Sequence, residues 1–208
     1  ARIQSYEQAY RMQMEATDAL DIMSESASVR ERYGDTPQGR QLLMARRLVE
    51  RGVRFVQLWH GKWQPWDNHD AIEKNHRQLA GECSRGIAAL LADLKERGML
   101  DDTLVIWGGE FGRTPMFQGK GATAGRDHHM RAFSMWLAGG GIKGGVSVGE
   151  TDELGSAAVD DRFHVKHLHA TILNQLGFDP NALTYFHAGL NKKLVGVEGA
   201  QPISQVIA

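Results

Sequence analysis

The chain has 208 residues, enough to bury a core of its own. Lys and Arg number 24 against 25 Asp and Glu, and a formal net charge of -1 argues against binding nucleic acid or an anionic membrane through bulk charge. A single cysteine, Cys83, excludes an internal disulfide framework, and no window approaches the ~18 consecutive apolar residues of a membrane span.

The chain opens at Ala1 directly in a helical pattern with no charged-then-apolar leader, so the true start of the protein is expected upstream. Ile3, Tyr6, Tyr10, Met12 and Met14 recur at mostly helical spacing and predict a helix over residues 3–20. A polar stretch, SESASVRERYGDTPQ, follows. In GRQLLMARRLVERG, Leu42, Leu43, Ala45, Leu48 and Val49 share one broad face before Gly52, which predicts a helix with a glycine stop. Val53 to Trp59 is short, β-branched and aromatic, and reads as a buried strand feeding the loop HGKWQPWDNH.

From Ile72 to Met99 an apolar stripe of Leu79, Ile87, Leu90, Leu91 and Leu94 predicts a second long helix, ended by Glu96-Arg97-Gly98. Thr103 to Trp107 and Phe133 to Ala138 read as further strands on either side of a long Gly-rich loop, with Gly145 to Val148 as an edge strand. HVKHLHATILNQLG predicts a last helix burying Val165, Leu168, Ile172 and Leu176, before an irregular tail with a hairpin-like KKLVGVEG. Helices alternating with short apolar strands predict one α/β domain over residues 1–208, a largely parallel sheet flanked by helices. In such sheets ligands sit beyond the carboxyl ends of the strands, where the polar loops after Trp59 and Trp107 leave.

Three clusters suit chemistry. His60, Asp67, His69, Asp70 and His76 crowd one loop, and Asp67 and His69 are spaced to converge on one divalent ion, with Trp63 and Trp66 as a screen against water. The competing reading makes Asn68 or Asp70 a cap for the next helix. Glu110, just past Gly108-Gly109, suits a metal ligand or general base, with Arg113 as a bidentate oxyanion binder, or the two form an ion pair that pins the loop. Asp127, His128 and His129, preceded by Gly125-Arg126, form the most ligand-like triplet, and Arg126 and Arg131 add positive charge for a phosphate or sulfate. His164, His167 and His169 lie on an ordinary amphipathic helix and are read as structural. GGGIKGG lacks the ending of a phosphate-binding loop, Ser84 has no base beside it, and Cys83 fits burial in its helix.

EFGRTP, GRDHH, FSMWLAGGGIKGG, TDELG and LHATILNQLG, in this order, closely resemble the C-terminal part of a sulfatase-like bacterial family, domain of unknown function 1501, of the alkaline-phosphatase-like superfamily. The resemblance runs from ARIQSYEQAYRMQM through LVERGVRFVQLWHG and WDNHD to the tail. It implies the alkaline phosphatase/sulfatase type of parallel-sheet α/β fold, one or two divalent metals (Zn, Ca or Mn) held by Asp and His at strand ends, and a nucleophile that attacks sulfur or phosphorus. Asp67 and His69 look like one metal pair, and Asp127 and His128 resemble the later metal-binding His. Glu110 stands where related enzymes show an Asp-His pair, EFG in place of DHG.

The C/S-x-P-x-R signature of sulfatases does not occur, and the resemblance implies that the chain is the C-terminal portion of a longer, exported protein whose nucleophile lies upstream. The expected function is hydrolysis of sulfate or phosphate esters, carried by small molecules or polysaccharides. Metal would be held by Asp67, His69, Glu110, Asp127 and His128, with Glu110, Arg113 and Arg126 acting in catalysis. The alternative is an exported binding or scaffold protein that kept the fold without the chemistry.

Overall fold

The computed structural model describes residues 2–208, apart from the side chains of Met12, Met14, Glu15, Ala16 and Ala122. The expected apolar positions Met12 and Met14 therefore lie outside the described side chains. Two compact units form, one from residues up to Arg97 together with Gly119–Gly125, the other from Gly98–Gln118 and Arg126–Ala208.

The first unit is helical, with α1 (Arg2–Leu20), α2 (Ala27–Tyr33), α3 (Pro37–Glu50) and α4 (Ile72–Glu96). α3 starts where Thr36 Oγ1 accepts the Gly39 N–H at 2.9 Å and Pro37 supplies a helical φ in the first turn. The same hydroxyl donates to the Glu82 carbonyl at 3.0 Å, tying this cap to α4. α3 buries Leu42, Leu43 and Ala45 as their spacing predicts, and α4 presents Cys83, Gly86, Ala89, Leu90 and Leu94 on one face. At Gly86 a Cβ would stand 2.8 Å from Leu42 Cδ1 and 3.2 Å from Gly39 Cα, so the two helices cross where neither carries a side chain. α2 lies in the polar stretch SESASVRERYGDTPQ, for which no helix was predicted, and Ser26 caps it by accepting the Val29 N–H at 3.3 Å. On α1, Ile3, Tyr6 and Tyr10 are exposed, and the helix is held at its far end, where Arg47 Nε donates to the Ala19 carbonyl at 3.0 Å.

Charges, not only hydrocarbon, fill the space between these helices. Arg46 is 1% exposed, with Nε 3.0 Å from Asp93 Oδ2 and Nη2 3.0 Å from Glu25 Oε1, contacts that pair charge without hydrogen-bond alignment, and it also pairs with Glu50. Tyr33 donates to Asp93 Oδ2 at 3.0 Å and Arg97 Nε to Asp93 Oδ1 at 2.9 Å. Burial alone would raise the Asp93 pKa, but the hydrogen bonds from Arg97 and Tyr33 and the charge of Arg46 hold it below the usual carboxylate range. Glu25 is likewise raised by burial and lowered further by Arg46 and Arg47, for a net downward shift.

The second unit overturns the expected fold class. Its strands are β1 (Val105–Trp107), β2 (Gly112–Arg113), β3 (His128–His129), β4 (Trp136–Ala138), β5 (Glu150–Thr151), β6 (Ala158–Asp160), β7 (Thr184–His187) and β8 (Leu190–Lys193), with one helix, α5 (Val165–Gln175). They pair as β1 with β4, β2 with β3, β5 with β6 and β7 with β8, each pair antiparallel and two-stranded. A largely parallel sheet flanked by helices, of the alkaline phosphatase/sulfatase type, is absent among the described residues. The physical reason is visible in the first unit, where the Val53 to Trp59 run joins no ladder. Continuous apolar strands suit sheets covered on both faces, yet here Val56 and Leu58 are half-buried while Phe55 and Trp59 are 73% and 74% exposed.

Other boundaries shift as well. No strand forms over Gly145 to Val148, and the tail hairpin is β7–β8, upstream of most of KKLVGVEG. α5 is turned from its predicted face, burying Ala170 and Thr171, with Ala170 and Leu173 against Val195 and Ala200, while Val165 and Leu176 are exposed. His164 caps α5 by accepting the Lys166 N–H at 3.2 Å, and His167 Nδ1 lies 2.9 Å from the Gln201 carbonyl, so both have structural partners. Cys83 is buried in α4, which pushes its thiol pKa up. No helix among the described residues is long and apolar enough to cross a membrane.

Candidate metal centre

The loop between the Val53 to Trp59 run and α4 is built around one indole. Trp66 Nε1 donates to His60 Nδ1 at 3.1 Å, and its ring meets those of His60 and His76 edge-on, with centroids 5.5 and 5.1 Å away. His76 Nε2 lies 3.0 Å from the Trp66 carbonyl. Because His60 Nδ1 accepts, its proton sits on Nε2, which faces Glu82 Oε2 at 3.5 Å. Two of the five clustered residues thus clamp Trp66. Trp66 acts as an internal post, and Trp63, expected to help screen the site, is 99% exposed.

Asp67 and His69 do converge. Their side chains are two residues apart in the loop, and Asp67 Oδ1 stands 3.1 Å from His69 Nε2. Two ligand atoms about 2.1 Å from a shared ion lie about 3.0 Å apart at a right angle and 3.4 Å apart at a tetrahedral one, so this spacing fits a common cation. Asn68 lies between them in sequence, and its Oδ1 is buried with no hydrogen-bond partner among the described residues. An orphaned buried amide oxygen costs free energy unless something electropositive meets it. The carboxylate and imidazole pair is a donor set that fits a divalent cation.

The far side of this loop is held by the inserted segment Gly119–Gly125. Asp70 bridges Ala124, the Ala71 N–H donates to the Thr123 carbonyl at 2.6 Å, and the Ile72 N–H to the Ala124 carbonyl at 3.4 Å. Neither Asn68 nor Asp70 caps α4. Its cap is Ala71 in the left-handed region (φ 44°) with no side-chain bond, and the borrowed carbonyls satisfy the donors there. Gly125 is buried, and a Cβ on it would run into the backbone of His69 and Asp70.

In the second unit, β2 and β3 set Arg113 opposite His128 and Gly112 opposite His129. The Thr114 N–H donates to the Asp127 carbonyl at 2.9 Å, the Asp127 N–H to Thr114 Oγ1 at 3.1 Å, and the His128 N–H to Asp127 Oδ1 at 2.7 Å. The exposed His128 ring lies 4.3 Å from that of Phe111, whose centroid is 5.6 Å from the Arg113 guanidinium. His129 has a different part to play. It is buried, with Nε2 3.0 Å from the Gly155 carbonyl, which pins the turn where Asp152 Oδ1 accepts from Leu154 and Ser156. Glu110 is exposed in the bend after β1, and Arg126 is half-buried.

A family model described as protein of unknown function, DUF1501, matches residues 1–207. The chain belongs to this family. Comparison of the DUF1501 chain with the curated proteins and with the solved structures returned no match.

Sequence reading of the DUF1501 chain weighed Asn68 only as a helix cap and missed that its amide oxygen is buried without a partner among the described residues. It also missed the clamp on Trp66, which no spacing rule encodes, because it depends on an indole lying between two rings.

Proposed function

We propose that the DUF1501 chain is a divalent-metal-dependent hydrolase of sulfate or phosphate esters, sulfatase-like in its chemistry. The observation that carries this reading is the Asp67 carboxylate 3.1 Å from the His69 imidazole. Asp67 and His69 are the anchoring ligands. Asp127, His128 and Glu110 join them on sequence grounds, the first two following Gly125 by two and three positions. Zinc, calcium or manganese bound there supplies Lewis-acid polarisation of an ester oxygen. Arg113 and Arg126 hold the anionic oxygens of the sulfate or phosphate, and Glu110 takes up a proton as general base. The ester belongs to a small molecule or a polysaccharide, and the protein works outside the cytoplasm.

One departure favours a second reading, an exported binding or scaffold protein. Glu110 stands in place of an Asp-His pair and is exposed.

Elemental analysis of the purified chain, beside Asp67→Ala and His128→Ala, tests the proposal. Near-stoichiometric zinc, manganese or calcium is expected, lost in Asp67→Ala and weakened in His128→Ala, and turnover of aryl sulfates or phosphates is expected of the longer protein that carries the nucleophile. Metal bound tightly by that longer protein without turnover would favour the binding-protein reading. No metal in the folded chain after equilibration with each ion would overturn the ligand assignment.

A further inference from the structure

Four residues before Asp67, Trp63 is 99% exposed and sits in the left-handed region with φ 60°. A bulky side chain rarely adopts that backbone, which persists only where the surroundings over-determine it. Here they do. The loop is fixed by Trp66 between His60 and His76 and by the Asp67 N–H donating to the Gln64 carbonyl at 3.0 Å. The same loop thus seats one indole inside as a post and holds the other outward. Leaving a whole indole in water is unfavourable, and an aromatic presented on a rigid base is a common anchor for ligands.

We infer that Trp63 is a stacking platform for a sugar ring, so that the ester cleaved at this site is carried on a saccharide. The chemistry of the tip selects that occupant. A pyranose offers a flat C–H face to an indole and a rim of hydroxyls, and the exposed neighbours Lys62 and Gln64 supply an ammonium and an amide for that rim. Insertion into a lipid surface would need an apolar tip, whereas Gly61, Lys62 and Gln64 around Trp63 are exposed and polar or bare. The substrate class rests on the hydrolase reading above; stacking itself needs no metal.

The test is affinity electrophoresis of the full chain through gels holding soluble glucan, galactan or mannan, each neutral or sulfated, with EDTA throughout. At least one glycan should retard the chain, Trp63→Ala should weaken retardation about fivefold, and Trp63→Phe should restore most of it. Trp63 touches nothing that the fold needs, and circular dichroism of each variant checks that it is folded. The inference is overturned if no glycan retards the wild type, if Trp63→Ala is retarded equally, or if Trp63 instead drives binding to phosphatidylcholine/phosphatidylglycerol vesicles. Because the gels contain EDTA, a chain found to hold no metal would remove the hydrolase reading and leave the platform standing.

Discussion

Gly125 meets the backbone of His69 and Asp70 at a distance that only a missing side chain permits, and this contact holds the loop carrying the Asp67–His69 pair. Gly125→Ala should therefore lower stability by about 1–3 kcal/mol through overpacking, measured by urea unfolding. Gly81→Ala on α4, where a Cβ meets nothing within 4 Å, serves as the control and should leave stability unchanged or slightly raised. At this scale the sequence was informative where spacing alone decides. Asp67 and His69 are two apart in a loop, and the structure brings them together. His60 and His76 were grouped with them by proximity in sequence, but their partner is the Trp66 ring, and a contact of that kind has no periodicity to read.

The helices α3 and α4 were legible because their apolar faces are local. Leu42 and Leu43 on α3 and Leu90 and Leu94 on α4 turn inward as their spacing requires. Strands were legible only in part: Thr103 to Trp107 and Phe133 to Ala138 contain β1 and β4, but a run such as Val53 to Trp59 becomes a strand only when a distant segment pairs with it, and its composition does not name that segment. The charged layer between α3 and α4 was invisible for a related reason. Arg46 looks like a surface residue until Glu25 and Asp93, from two distant places in the chain, join its i+4 neighbour Glu50 around it. Arg46→Ala leaves those carboxylates without their shared cation and should cost about 3–5 kcal/mol, read as a fall in the urea midpoint at neutral pH. A substitution that left the midpoint unmoved would show that the layer contributes nothing to stability.

The same layer sets how the whole chain responds to acid. Asp93 and Glu25 have pKa values lowered below their ordinary 3.8 and 4.5, so the folded chain binds fewer protons than the unfolded one in that range. Their contribution is fully present above those ordinary values and is lost as pH falls through the lowered ones. Thermal melts should be level from neutrality down to about pH 5 and then fall, and Asp93→Asn should flatten that fall. The Glu25 and Asp93 side chains are nearly enclosed, so added salt should move the acid limb little. The segment Gly119–Gly125 has a consequence for synthesis. Nascent chains fold from the amino end, and the first helices can pack as they leave the ribosome. The N–H groups of Ala71 and Ile72 must wait for Thr123 and Ala124 to be translated. Ribosomes stalled before that point should expose a chain whose helices are packed but whose site-bearing loop is still open to protease, closing only when translation passes Gly125.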